Sequence, residues 1–243
     1  MNPIVAVILI ICVVLLIVYL IRYTMGNSYT LQSGVRNARD MSTFSASSLA
    51  SMGSDAPVSN FAYSVWFYVN DWNYQYGQAK VLFGRMSKSA STISGLGASG
   101  SEPCPLVQFG ENANDLEIYM TTFATTGNPF KCVVTNIPIQ RWTNLSISVY
   151  GRTLDVYLNG KLVKTCVMPG IAKINDKTDL SLTPNGGFEG WTSKFAFYPM
   201  PMNPQDAWDI YAKGPTGAFS SLSAYQVQLA LLNNGQTISS ASF

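Results

Sequence analysis

WTNLSISVYGRTLDVYLNGKLVKTCV, residues Trp142–Val167, decides the fold of this 243-residue chain. Leu145, Ile147 and Val149 alternate with Asn144, Ser146 and Ser148, and Leu154, Val156 and Leu158 alternate with Asp155, Tyr157 and Asn159. A period of two places each apolar set on one face of an extended strand. Gly151-Arg152 interrupts the first pair, and Asn159-Gly160 falls where a two-residue type I′ turn needs positive φ at both central positions. The stretch therefore predicts a meander of three antiparallel strands, each with one buried face.

Working outward, strands are predicted over Phe61–Val69, Val81–Arg85, Pro105–Phe109, Leu116–Thr121 and Lys131–Asn136 before the meander, and over Leu180–Leu182 and Trp191–Tyr198 after it. Leu116, Ile118 and Met120 alternate with Glu117, Tyr119 and Thr121, so Glu117 points away from the apolar face. Asn185-Gly186-Gly187 reads as a turn. Pro204–Ala212 has an acidic first turn and carries Trp208 and Tyr211 at helical spacing, which predicts a short helix docking both rings on the sheet. Asn70–Gln78 is a loop dense in Trp72, Tyr74 and Tyr76; such rings could stack on a sugar or protein partner, or cap the end of the fold and hold the loop in place. Ser87–Ser101 is a low-complexity Ser/Gly insertion.

The meander, with its tryptophan opening a strand and its Tyr-Leu-Asn-Gly-Lys-Leu-Val strand pair, resembles the core of concanavalin A-like (laminin G-like) jelly-roll domains. Phe61–Trp72 (FAYSVWFYVNDW) resembles their early strand, and Gly187–Pro215 (GFEGWTSKFAFYPMPMNPQDAWDIYAKGP) resembles their closing strand with a short helix and a Lys-Gly-Pro stop. The resemblance implies an all-β antiparallel jelly-roll sandwich over residues 57–215. Within that superfamily, Trp66–Arg85 (WFYVNDWNYQYGQAKVLFGR) and an apolar N-terminus look most like the versions encoded by large icosahedral DNA viruses of algae. This implies a membrane-associated minor capsid or virion protein.

The apolar N-terminus is a run from Pro3 to Ile21 without a charged side chain. As a helix it would span about 28 Å, close to the hydrocarbon thickness of a bilayer. A cleaved signal peptide would need a basic start and a small-residue cleavage site, and neither is present, so residues 1–23 are expected to be a single uncleaved transmembrane helix. Tyr19 and Tyr23 would sit at the membrane interface, with Arg22 as the stop. Arg22, Arg36 and Arg39 all follow this segment and no Lys or Arg precedes it. The positive-inside rule then places the C-terminal domain on the cytosolic, capsid-facing side of a virion internal membrane. Residues 24–56, rich in Ser, Gly and Asn with few large apolar residues beyond Leu31, Phe44 and Leu49, read as a linker of limited structure. Residues 216–243 carry no charged side chain; Ala224–Leu232 suits an amphipathic helix or edge strand, and the rest an extended tail for a partner.

Only 12% of the residues are charged, about half the usual share, which suits a protein packed among others. A net charge of +2 without a Lys/Arg cluster speaks against a nucleic-acid partner. The absence of histidine removes Ser-His-Asp and Cys-His catalysis and histidine zinc ligation. Glycosidases of the resembling fold imply carboxylates at i, i+2 and i+4; here Glu111, Ala113, Asp115 and Glu117 lose a position of that set. Asp71, Asp115, Asp176 and Asp179 are the loop candidates for calcium, but without acidic clustering they read as solvated turn residues. No catalytic residue, cofactor or metal is expected.

Four cysteines, Cys12, Cys104, Cys132 and Cys166, include no C-x-x-C pair. Cys132 and Cys166, in or beside strands, could bridge, whereas a cytosolic domain would by default keep free thiols. The viruses that the chain resembles often encode oxidase systems of their own. The Asn144-Leu145-Ser146 sequon falls in a core strand and reads as accidental. Two functions follow from these features. One is a non-enzymatic structural protein linking the bilayer, through residues 3–21, to capsid or other virion proteins. The other is a membrane-displayed lectin-like module binding a glycan through Trp72, Tyr74 and Tyr76.

Overall fold

The computed structural model describes residues 29–52, 59–86, 102–124 and 128–216, residues 13, 14, 16 and 17, and the backbone of 228–233 and 236–242. The meander lies as expected: β9 (Thr143–Tyr150), β10 (Thr153–Leu158) and β11 (Lys161–Val167) pair antiparallel in sequence order. Gly151, Asn159 and Gly160 all take positive φ, as the two turns require. In chain order the other elements are β1 (Thr30–Gln32), β2 (Arg36–Asn37), β3 (Ser42–Phe44), α1 (Ala46–Met52), β4 (Phe61–Asp71), β5 (Lys80–Arg85), β6 (Leu106–Phe109), β7 (Leu116–Met120) and β8 (Phe130–Val134). After the meander come β12 (Leu180–Leu182), β13 (Glu189–Tyr198), α2 (Pro204–Ala212), β14 (Gln228–Asn233) and β15 (Gln236–Ser242).

The strands build a β-sandwich. One sheet runs β1-β13-β4-β9-β10-β11, with β2 also on β13, and the other runs β3-β12-β5-β6-β7-β8. Between them, Tyr63, Phe67, Ile147, Val156 and Phe195 of the larger sheet meet Phe83, Phe109, Ile118 and Leu182 of the smaller in one buried core. Tyr63, Phe83 and Phe195 touch pairwise, with centroids 5.1 to 6.2 Å apart. A Cys132–Cys166 disulfide joins β8 to β11, the terminal strands of the two sheets, while Cys104 is buried and free.

Two expectations need correction. The linker expected over residues 24–56 is not a plain tether in its described part, 29–52: β1 and β2 pair with β13, β3 pairs with β12, and α1 follows. Leu31, Ala38, Phe44, Leu49 and Met52 dock it on the core. Short strands at a sheet edge need little hydrophobic periodicity of their own, because the neighbouring strand supplies their hydrogen bonds. The polar face of β9 is also buried rather than solvated. Asn144 and Ser146 hydrogen-bond Ser64, and the Ser148 hydroxyl accepts from the Met202 amide at 2.7 Å. Small polar side chains let α2 approach closely and satisfy one another there. Asn144, fully buried and engaged in this way, cannot present its amide for glycosylation.

Among the described residues, no helix is long and apolar enough to cross a membrane. The expected span lies outside them except for Val13, Val14, Leu16 and Ile17, which are helical and exposed. Tyr19, Arg22, Tyr23, Cys12 and the insertion Ser87–Ser101 lie wholly outside.

Candidate functional site

One end of the sandwich gathers the C-terminus of β4, the N-terminus of β13 and the N-terminus of β9. Within β4, Trp66 and Tyr68 alternate with Val65, Phe67 and Val69, so the core takes the aliphatic residues and Phe67 while Trp66 and Tyr68 face outward. The register sets Trp191 of β13 opposite Tyr68. Trp142, just before β9, closes on the same ring. Tyr68 meets Trp191 at 5.4 Å and Trp142 at 5.8 Å, both edge to face, the arrangement that aromatic quadrupoles favour. Gly190 makes this pairing possible: its φ is +155°, and a Cβ there would overlap the Tyr68 carbonyl oxygen. Trp191 remains 38% exposed, and Tyr68 and Trp142 are half-buried.

The helix α2 decides how much of this outer face is left open. At its start the Asn203 side chain accepts from the Asp206 amide at 2.9 Å, and the Asp206 carboxylate accepts from the Asn203 amide at 3.0 Å, a reciprocal capping box. At its end the Lys194 ammonium donates to the carbonyls of Lys213 (3.0 Å) and Gly214 (2.6 Å). Burial, with Lys213 nearby, holds the Lys194 pKa below its ordinary range. Fastened at both ends, α2 covers Ala62, Tyr157 and Trp66 and stops short of the trio. Of its two rings, Tyr211 stacks on Trp66 at 5.6 Å, and Trp208 leans on Tyr211 and lies against Gly160 at the β10–β11 turn, with 46% of its surface still exposed.

The loop after β4 holds the three residues singled out from the sequence, and the structure separates their roles. Trp72 packs edge-on against Phe109 and covers the Lys80 ammonium, 4.6 Å from its ring centroid. Lys80 is fully buried, its Nζ has no hydrogen-bond partner among the described residues, and burial lowers its pKa. The Tyr74 hydroxyl donates to the Gly186 carbonyl at 3.1 Å beneath the Arg39 guanidinium, which also pairs with Glu189. Tyr76 is 62% exposed. Trp72 and Tyr74 thus hold the loop, and Tyr76 is the ring presented to solvent, at the same end as Trp191.

The acidic residues do not converge. Among the described residues no three of His, Cys, Asp and Glu come together as metal ligands. Asp71, Asp115 and Asp179 each accept a backbone amide, from Asn73, Asn136 and Ala46, and Asp176 gives its carbonyl to Arg85. Glu111 lies exposed in a loop, and Glu117 stands on the outer face of the smaller sheet. There it accepts from Lys131 (2.7 Å), Tyr119 (2.7 Å) and Gln108 (3.2 Å). Burial works to raise the Glu117 pKa, but these donors outweigh it and hold the carboxylate below its ordinary range, while burial and Glu117 push the Tyr119 phenol up to about 12. Both carboxylate oxygens are engaged by neighbours, which makes Glu117 a fastening across β6, β7 and β8.

The trio Tyr68, Trp142 and Trp191 did not emerge from the sequence as a group. Its signal was present in the Trp66-x-Tyr68 alternation, yet Trp142 and Trp191 lie 74 and 123 residues from Tyr68, and only the sheet order brings them together.

No protein-family model matches the sequence, and no curated protein does. Similarity appears among solved structures. The binding domain of botulinum neurotoxin DC in complex with rat synaptotagmin II shares 13% identity, with a TM-score of 0.51 over 75% of this chain and 45% of that one. A tryptophan-to-alanine mutant of HCR/D shares 9% identity, with a TM-score of 0.52 over 76% of this chain and 51% of that one. The chain therefore spans about half the length of the solved structures it matches, and the likeness is one of β-sandwich fold.

Proposed function

We propose that this chain is a non-catalytic, lectin-like contact domain of the concanavalin A-like kind that engages a partner through its aromatic end. The observation that carries this is the partly exposed group Tyr68, Trp142 and Trp191, with the exposed polar residues Asn70, Arg141 and Arg36 close to it in sequence or strand register and Tyr76 exposed in the loop that follows β4. Aromatic rings with a polar rim are the composition of protein contact surfaces. The likeness to a binding domain solved with rat synaptotagmin II supports the reading only so far as the fold is concerned.

The finer reading follows the family resemblance and the apolar N-terminus. The protein is a structural component of a large DNA virus particle, with residues 3–21 in its internal membrane and the domain on the capsid-facing side, where it meets other virion proteins. On that side the Cys132–Cys166 bond calls for a dedicated thiol oxidase, since cytosolic thiols otherwise stay reduced. The second reading is a glycan ligand, favoured by the flat, partly exposed faces of Trp191 and Tyr76. The full chain in nanodiscs, tested on a glycan array, separates the two. Binding lost at least tenfold in both Trp191→Ala and Tyr76→Ala selects the glycan. No array binding, with photo-crosslinks from position 76 to shell proteins in assembled particles, supports the structural reading. Neither binding nor crosslinks would remove the aromatic end as a contact site.

A further inference from the structure

The larger sheet ends on a long edge strand, broken by a register shift at Val163 and carrying Lys161 and Lys164. Natural sheets blunt their edges by keeping edge strands short, and on the far side of this sandwich β1, β2 and β3 span three, two and three residues. On the near side β11 runs for seven residues, and six of these are exposed. Leu162, Val163 and Val167 are 51%, 44% and 66% exposed. Among the described residues no strand lies beyond β11, so its outer row of backbone N–H and C=O groups has no strand beside it. The Cys132–Cys166 bond pins this edge to β8, so β11 is a fixed template rather than a fraying end.

The chain also contains a sheet with the opposite shortage. β14 and β15 pair with each other and, among the described residues, with no strand of the sandwich. Two strands alone are marginal in water; a third strand or a packed face is needed for stability. Their lengths, six and seven residues, match the seven of β11. Charge favours the same match. Lys161 and Lys164 of β11 would meet their own kind if two β11 edges paired, and like charges facing across strands are destabilising. Residues 216–243 carry no charge at all and meet no such repulsion.

We propose that the β14–β15 pair of a second copy of this chain adds to the β11 edge and extends the larger sheet across the contact. Strand addition of this kind draws its affinity from main-chain hydrogen bonds and its selectivity from alternate side chains. A reciprocal exchange closes as a two-fold dimer; one-way donation runs on into a ring or a filament.

The test uses the full chain in detergent with Cys12→Ser, leaving Cys104 buried. Val163→Cys is placed in one preparation and Ala230→Cys in another, and the two are mixed and mildly oxidised. A mixed disulfide dimer is expected, absent when either preparation is oxidised with an unsubstituted partner. Light scattering should give an oligomer whose dissociation constant rises at least tenfold in Leu162→Lys, with the far-ultraviolet spectrum unchanged. A crosslink formed only within a chain carrying both cysteines would assign the edge to its own hairpin and overturn the proposal. A monomer at all concentrations, or an oligomer indifferent to Leu162→Lys, would also overturn it.

Discussion

Removing the Cys132–Cys166 bond by Cys132→Ala with Cys166→Ala puts the sandwich architecture to a quantitative test. The bond closes a loop with a sequence separation of 34 residues, running from the last strand of one sheet through the whole meander to the last strand of the other. The loop-closure relation gives about 3.8 kcal/mol for a loop of this length, lost when the unfolded chain is no longer constrained. At about 2–4 °C per kcal/mol for a chain of this size, the melting temperature should fall by about 8–15 °C. Differential scanning calorimetry of the oxidised protein, the reduced protein and the double variant supplies the comparison. Reduced wild type should approach the variant, and reductant should leave the variant unmoved, since Cys104 is already a free buried thiol whose pKa burial raises to about 12. A melting temperature within about 2 °C of the oxidised protein would show that the two edges hold together without the bond, and would refute the reasoning.

Three further substitutions test the local readings. Gly190→Ala forces a Cβ into the Tyr68 carbonyl at a φ of +155° and should cost about 2 kcal/mol or more in urea unfolding; a loss below about 0.5 kcal/mol would mean that the β4–β13 pairing yields there at no cost. Glu117→Gln should cost about 1–2 kcal/mol at neutral pH. Because the folded Glu117 pKa is lowered, its contribution is complete above the unfolded value of about 4.3 and is lost as pH falls through the folded pKa, so the two stability curves should converge in acid; a constant gap would sink the account. Lys80→Met should stabilise by on the order of 1 kcal/mol at neutral pH, since it replaces a buried ammonium that lacks a hydrogen bond. The Lys80 pKa is lowered, so the wild type gains stability as pH rises from the folded pKa toward about 10.4, and the advantage of methionine should shrink over that window; a less stable variant at neutral pH would mean that the contact with the Trp72 ring outweighs the cost of burying the ammonium.

The long strands were legible because each carries its own signal. The Leu145-Ile147-Val149 alternation and the Asn159-Gly160 turn are complete within a few residues, and β9, β10 and β11 start and stop within two residues of where those signals lie. The segment 24–56 was not, because β1, β2 and β3 are strands only by virtue of the neighbours they pair with. Burial of the β9 polar face was hidden for a related reason. Asn and Ser on a strand signal solvent unless something covers them, and α2 arrives from some sixty residues downstream. At the aromatic end the loop was legible as a cluster of rings, but Trp72, Tyr74 and Tyr76 follow each other at the same spacing and look alike in sequence. Which ring clamps a lysine, which donates a hydrogen bond and which meets water depends on Phe109, Gly186 and Arg39, none of them nearby in the chain.

The chain comes into the sandwich beside its closing strand. Tyr29 lies against Tyr198 at 5.4 Å, and its carbonyl accepts from the Phe197 amide. That is the opposite pole of β13 from Trp191, about 23 Å away along seven residues of extended chain. A pull applied ahead of Tyr29 and resisted at the tryptophans would run lengthwise through β1, β13 and β4. Load along a strand shears its cross-strand hydrogen bonds together instead of opening them one by one, so the pairing of β13 with β1 and β4 would resist such a pull as a set.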